Sequence, residues 1–187
     1  MGGIATFADC VGELTHMVET RTGAEARVLG ALDIIERTLR TRDQLDLSRF
    51  VPGTSSYARH LIHCDPNNRF CLLALVWKPG QGTPIHDHPS WGVYGVVRNQ
   101  MRFVNYIVQR DGDRDRLTMT GAAVTHEGSA LTIFPPWADV HRMENPSPDQ
   151  VSVTLHCYGV EIKEFNIYQL ETAARRPSTT KYDSVPG

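Results

Sequence analysis

His86 and His88 stand two residues apart in the stretch Gly80-Gln81-Gly82-Thr83-Pro84-Ile85-His86-Asp87-His88. Side chains of an extended chain alternate between faces with period two, so both imidazoles point the same way. Two imidazoles on one face are two thirds of a facial metal site, and a third ligand is expected from another strand. Asp87 then points to the opposite face and reads as a supporting or turn residue. The chain carries eight histidines in 187 residues, a surplus for its length. Hydrophobic residues make up 41% and charged residues 21%, which excludes a disordered or fibrous chain. Nineteen Lys+Arg against 21 Asp+Glu leave a net charge of −2, so no bulk charge draws the chain to nucleic acid or to a membrane surface.

The elements that must hold these residues read as a helical layer followed by strands. Residues 6–20 form one amphipathic helix, with Phe7, Val11, Leu14 and Val18 as its apolar stripe. Thr6 is its N-cap, although Met1-Gly2 followed by Thr6 also fits a loose myristoylation pattern. Residues 22–40 form a second helix, with Thr22 and Glu25 as a capping box and Val28, Leu32, Ile35 and Leu39 as its stripe. From Tyr57 onward the period is that of strands: 57–63, 70–78, 92–98, 101–109, 131–134 and 151–158, with a shorter piece near 139–144. Turns separate them at Asp65-Pro66-Asn67-Asn68, Pro79-Gly80, Asp111-Gly112-Asp113 and Pro146-Ser147-Pro148.

This pattern describes a single domain over 1–187, with a helical layer at 6–40, a β-barrel at 57–170 and a loose polar tail at 172–187. No secretory signal and no run of about 18 apolar residues is visible, and a cytoplasmic location is expected. Cys10, Cys64, Cys71 and Cys157 form no CxxC pair, so free thiols are expected and a Cys64–Cys71 bridge has no spacing argument behind it.

Two stretches resemble the paired motifs of the cupins. Gly80, five residues and then His86-x-His88 is similar to the first motif. Pro136, four residues, His141, three residues and Asn145 is similar to the second. The resemblance implies a mainly β fold, a cupin double-stranded β-helix (jelly-roll barrel), and makes His141 the third ligand. Most cupins add a Glu four or five residues after the His pair; here Gly92 and Val93 occupy those places, and Ala138 replaces the usual Gly of the second motif. Three neutral imidazoles leave a divalent ion with its full charge and three open positions, which suits an anionic chelating substrate such as a thiolate. Asp139 remains a lesser candidate for a carboxylate ligand.

With these residues in place the chain resembles the cysteine dioxygenases and the related 3-mercaptopropionate dioxygenases from about Tyr57 to Tyr158. That resemblance implies Fe(II) at His86, His88 and His141. Tyr57-Ala58-Arg59 is similar to the family's Tyr-x-Arg, in which the Arg holds the substrate carboxylate. Thr154-Leu155-His156-Cys157-Tyr158 is similar to its Ser-x-His-x-Tyr relay, with Thr154 in place of Ser, and alternation puts Thr154, His156 and Tyr158 on one face. The cysteine that cross-links to the relay tyrosine in animal members falls at Gly92 or Val93, so Tyr158 is expected to be uncrosslinked. Ser90-Trp91-Gly92 looks more like the 3-mercaptopropionate enzymes. Those typically replace the first Arg by Gln and use an Arg beyond the relay tyrosine, whereas here Arg59 is present and 159–166 offers only Lys163.

The resemblance implies oxidation of a small carboxylate-bearing thiol by O2 to a sulfinic acid, with L-cysteine as the expected substrate. The partners expected are that thiol and O2, with no nucleic acid and no membrane, in a monomer or weak homo-oligomer. The alternatives are a 3-mercaptopropionate dioxygenase, a three-His zinc hydrolase, lyase or isomerase, a non-catalytic metal- or ligand-binding cupin, and an oxidase of N-terminal cysteines on peptides. Arg59 argues against the last, since a peptide presents no carboxylate there.

Overall fold

The computed structural model describes residues 4–111, 114–137 and 139–186. Helices α1 (Phe7–Thr20) and α2 (Ala24–Arg40) come first, close to the expected spans. Thr6 caps α1, its Oγ1 accepting a hydrogen bond from the Asp9 amide at 3.0 Å. The Thr22–Glu25 capping box does not form: Gly23, at φ +82°, is the N-cap of α2 and no side chain caps that end. A left-handed residue at the cap turns the chain sharply between the two helices, and glycine adopts that conformation freely. The myristoylation pattern begins on Gly2, which lies outside the described residues.

Eleven strands follow among the described residues: β1 (Ala58–Cys64), β2 (Cys71–Trp77), β3 (Ile85–His86), β4 (Gly92–Arg98), β5 (Gln100–Asp111), β6 (Arg114–His126), β7 (Ala130–Ile133), β8 (Val140–Glu144), β9 (Ser152–Tyr158), β10 (Glu164–Tyr168) and β11 (Arg175–Thr179). They make two sheets, in the orders β1-β2-β9-β4-β7 and β11-β10-β3-β8-β5-β6, and every strand-to-strand ladder is antiparallel. This is the cupin double-stranded β-helix with a helical layer on one outer face.

Alternation sorts the first sheet into two cores. Val153, Leu155 and Cys157 of β9, with Leu72, Ala74 and Val76 of β2, pack under the helices against Leu14, Ile35 and Leu39. The intervening residues Cys71, Leu73, Leu75, Trp77 and Tyr158 face the barrel interior with Met101, Phe103 and Met143. Both faces of these strands are covered, which is why β2 reads as a continuous apolar run. Gly95 of β4 permits the close approach of α2, since a Cβ there would meet Leu39 Cδ1 at 2.7 Å and Ile35 Cγ2 at 3.0 Å.

Strands β6, β10 and β11 were not expected. β6 is an edge strand whose described side chains are mostly exposed, so it shows no buried alternation to read. Asp111 ends β5, while Gly112 and Asp113 of the expected turn lie outside the described residues. The expected loose tail is ordered instead. β11 pairs with β10, and Asp183 and Ser184 dock on β1 through Asp183 N–H to Arg59 O at 2.8 Å and Leu61 N–H to Ser184 O at 2.9 Å. Backbone groups make these contacts, so the polar composition of 172–187 did not announce them. No helix among the described residues is long and apolar enough to cross a membrane.

Candidate metal centre

The metal motif lies on the second sheet and the relay motif on the first, so the site forms where the sheets face each other. His86 on β3 pairs directly with His141 on β8, and His88 stands two residues beyond the end of β3. The three rings stand with centroids 4.8 Å apart in each pairing. Their ligand nitrogens lie within 4.8 Å of one another, and no other metal-binding group forms among the described residues. His86 Nδ1 is 3.0 Å from Pro84 O, and His88 Nδ1 is 2.8 Å from Asp139 O. Both carbonyls only accept, so each Nδ1 carries the proton and each Nε2 keeps a free lone pair. His141 Nε2 is buried without a partner. A buried imidazole nitrogen left unpaired costs free energy, and a metal ion is the partner this donor set fits. Burial lowers the pKa of His86 to about 4 and holds His88 and His141 well below the ordinary histidine value, so all three are neutral ligands near pH 7.

Asp139 takes part through its backbone carbonyl, and its carboxylate is not in the cluster. Asp87 turns away as expected. Its carboxylate accepts hydrogen bonds from Asn166 N–H at 2.7 Å, Asn166 Nδ2 at 2.8 Å and Tyr168 O–H at 2.9 Å, tying the His loop to β10. Asn145 of the second motif is a brace: its Nδ2 donates to Trp77 O at 3.0 Å and Gln150 O at 2.7 Å.

On the facing sheet, Thr154, His156 and Tyr158 share the inner face of β9 in one hydrogen-bonded chain. Thr154 Oγ1 is 2.8 Å from His156 Nε2, and His156 Nδ1 is 2.9 Å from Tyr158 Oη. Trp77, which the sequence reading did not single out, donates its indole N–H to Thr154 Oγ1 at 2.9 Å. Thr154's buried hydroxyl proton then has His156 Nε2 as its acceptor, which leaves the imidazole proton on Nδ1, pointing at Tyr158 Oη. The Tyr158 O–H is thereby free to donate into the cavity. Burial pushes the Tyr158 phenol up and His156 down to about 3, so the first stays protonated and the second neutral.

Tyr57, Arg59, His86, His88, His156 and Tyr158 line one cavity of about 40 Å³. Thr154 stands behind His156, and His141 contributes to the metal cluster. Tyr158 stacks on His88 with centroids 5.7 Å apart, joining the two halves of the site. Tyr57 stacks on Trp77 at 4.3 Å. Arg59 Nη1 is buried with no partner. The Arg59 guanidinium lies 5.5 Å from the Tyr182 ring centre, and its backbone N–H donates to Asp183 Oδ2 at 2.8 Å. Tyr182 and Asp183 were missed because nothing local marks a tail residue such as Asp183, 124 positions away, as a neighbour of Arg59. Gly92 lies against Tyr158: a Cβ there would meet Tyr158 Cδ1 at 2.8 Å, and no thiol stands at that place. Lys163 is exposed and paired with Glu161 at 3.0 Å.

A jelly-roll barrel with three convergent imidazoles inside defines a metal-binding cupin. The sequence model of the family described as Cysteine dioxygenase type I matches residues 7–170, and the chain belongs to that family. Human cysteine dioxygenase type 1 is 24% identical over 131 residues, covering 70% of this chain and 64% of the human protein. The zebrafish (Danio rerio) protein is 25% identical over 117 residues, covering 62% of this chain and 57% of its own. The chain therefore spans less than two thirds of the length of these curated relatives. Among solved structures, an RmlC-like cupin protein from Ralstonia eutropha has a TM-score of 0.47 at 15% identity, covering 70% of this chain and 71% of that one. A protein with a double-stranded beta-helix domain from Klebsiella pneumoniae has a TM-score of 0.45 at 14% identity, covering 70% of this chain and 90% of that one.

Proposed function

We propose that this protein is an iron(II) thiol dioxygenase that adds both atoms of O2 to the sulfur of a small carboxylate-bearing thiol, with L-cysteine as substrate and cysteine sulfinic acid as product. The observation that carries this reading is a cluster of three uncharged imidazoles, two of which, His86 and His88, line one small cavity together with Arg59 and its unpartnered guanidinium nitrogen. A ligand that satisfies both needs an anion for each: a thiolate and a carboxylate. The volume of about 40 Å³ is room for only a few waters, which suits a small molecule better than a peptide end.

Iron(II) held by Nε2 of His86, His88 and His141 would activate O2 and favour the thiolate form of a bound thiol. Arg59 pairs with the substrate carboxylate, and its fork geometry fixes where the sulfur sits. Tyr57 and Trp77, stacked on each other, also line the cavity. Tyr158 donates its hydrogen bond to the reacting groups, and its raised pKa keeps that proton in place. Four free cysteines among the described residues suit a reducing, cytoplasmic setting.

The test is anaerobic loading with Fe(II), followed by O2 uptake with a panel of thiols that carry or lack the amine and the carboxylate. Cysteine oxidation with one O2 consumed per sulfinate formed is the expected result. Preference for 3-mercaptopropionate would replace the substrate. A zinc-loaded protein with no O2 uptake would overturn the reading.

A further inference from the structure

Cys64 ends β1, Cys71 begins β2, and the two are directly opposite in the antiparallel register. The Asp65 N–H bonds to Phe70 O at 3.0 Å on the turn side, which makes Cys64–Cys71 a non-hydrogen-bonded pair. Such pairs hold their Cα atoms about 4.5 Å apart, inside the range of about 4.4–6.8 Å that a disulfide spans. Both side chains face the barrel interior. Cys71 is also directly opposite Tyr158 on β9, and its Sγ lies 3.8 Å from Tyr182 Oη.

We propose that Cys64 and Cys71 form a redox-active dithiol that a low-molecular-weight disulfide closes into a cross-strand disulfide beside Tyr158. Cys64 is half-buried, whereas Cys71 is buried, so Cys64 is the attacking group. Its thiolate attacks the small disulfide RSSR, forming Cys64–S–S–R and releasing RS⁻. Cys71 then attacks Cys64 Sγ and expels the second RS⁻. Two protein thiols lose two electrons and two protons, and RSSR becomes two RSH. The neighbouring Cys71 side chain lowers the Cys64 pKa, and Cys64 in turn raises that of Cys71. Cys10 and Cys157 are internal controls: both are buried, with thiols pushed up to about 11 and well above the ordinary value.

The consequence for the site rests on the proposed role of Arg59. Forming the S–S bond removes the thiol proton of Cys71 and repositions its Sγ, which lies 3.8 Å from Tyr182 Oη, and the Tyr182 ring lies against Arg59. Thiol oxidation would thereby loosen the carboxylate clamp when small disulfides accumulate.

The experiment incubates the full chain with 2-hydroxyethyl disulfide and 2-mercaptoethanol at graded ratios, alkylates it in denaturant and weighs it. The reduced chain takes four alkyl groups and the oxidised chain two. Trypsin cuts after Arg69, so the oxidised chain yields two peptides joined through Cys64 and Cys71. Cys71→Ser should instead hold a stable mixed disulfide on Cys64. Four alkylations at every ratio, or a mixed disulfide persisting on Cys64 of the unaltered chain, overturns the proposal. These masses need no turnover, so they decide the dithiol even if no thiol is oxidised by O2. In an active preparation the disulfide form should show a severalfold higher KM for the thiol than the reduced form, and equal KM values would overturn the link to Arg59.

Discussion

The hydroxyl of Thr154 has two partners, a donor-only indole and an imidazole nitrogen, and that inventory sets the direction of every proton up to Tyr158. Tyr158→Phe should lower kcat by about 10²-fold, the scale of a positioned proton donor, while bound iron stays stoichiometric. Normal turnover would remove Tyr158 from the chemistry. Arg59→Ala should raise KM about tenfold to a hundredfold, since a hydrogen-bonded charge contributes about 1.5–3 kcal/mol, and steady-state kinetics with cysteine check it. His141→Ala removes one of three neutral ligands and should abolish iron retention, measurable by metal analysis after desalting. His86 and His88 were legible from the period of two, whereas Tyr-x-Arg and Thr-x-His-x-Tyr stood out through their resemblance to family motifs, with the period of two adding that the relay residues share a face. Trp77 was not legible as part of the relay: its indole reaches Thr154 across the β2–β9 ladder, where Trp77 pairs with Ser152.

At the scale of elements, the hairpin β1–β2 carries both Arg59 and the dithiol, and its turn is held by one carboxylate. Asp65, buried, accepts from Arg69 Nη2 at 2.6 Å and Nε at 2.8 Å and from the amides of Asn67 and Arg69 at 3.0 and 3.1 Å. The Arg69 hydrogen bond, with the Arg69 charge and the amides, holds the Asp65 pKa at about 2. A carboxylate with a depressed pKa contributes stability fully above its unfolded value of about 3.9 and loses it as the pH falls towards 2. Asp65→Asn should therefore cost about 1–3 kcal/mol at pH 7, with the gap in Tm from the unaltered chain narrowing between pH 4 and 2. A gap independent of pH would mean that the charge is not what holds the turn. The helices were legible because one-sided burial imprints a period on them, β2 because burial on both faces leaves a continuous apolar run, and β9 because Val153, Leu155 and Cys157 alternate with Thr154 and His156. β6, β10 and β11 were not, because most of their described side chains are exposed or half-buried.

At the scale of the whole molecule, the site exists because two sheets face each other and the chain end returns to β1. His60 marks that return: its Nδ1 is 2.8 Å from Ser184 Oγ and its Nε2 is 2.9 Å from Val51 O. A chain ending at Thr180 loses Tyr182, Asp183 and Ser184, and should show a severalfold higher KM with a smaller change in kcat, together with a lower Tm in a thermal melt. Unchanged KM would make the tail a structural strap alone. The sequence by itself put His86 and His88 on one face and Thr154, His156 and Tyr158 on another, because alternation along a single strand does so, while the roles expected of His141, Arg59 and Tyr158 came from the family resemblance. Only the tertiary structure decided that His86 and His141 pair across β3 and β8, that Tyr182 covers Arg59, and that Cys64 meets Cys71. Those distances depend on strand register and on backbone hydrogen bonds, which every residue except proline can donate and which therefore leave little trace in the order of side chains.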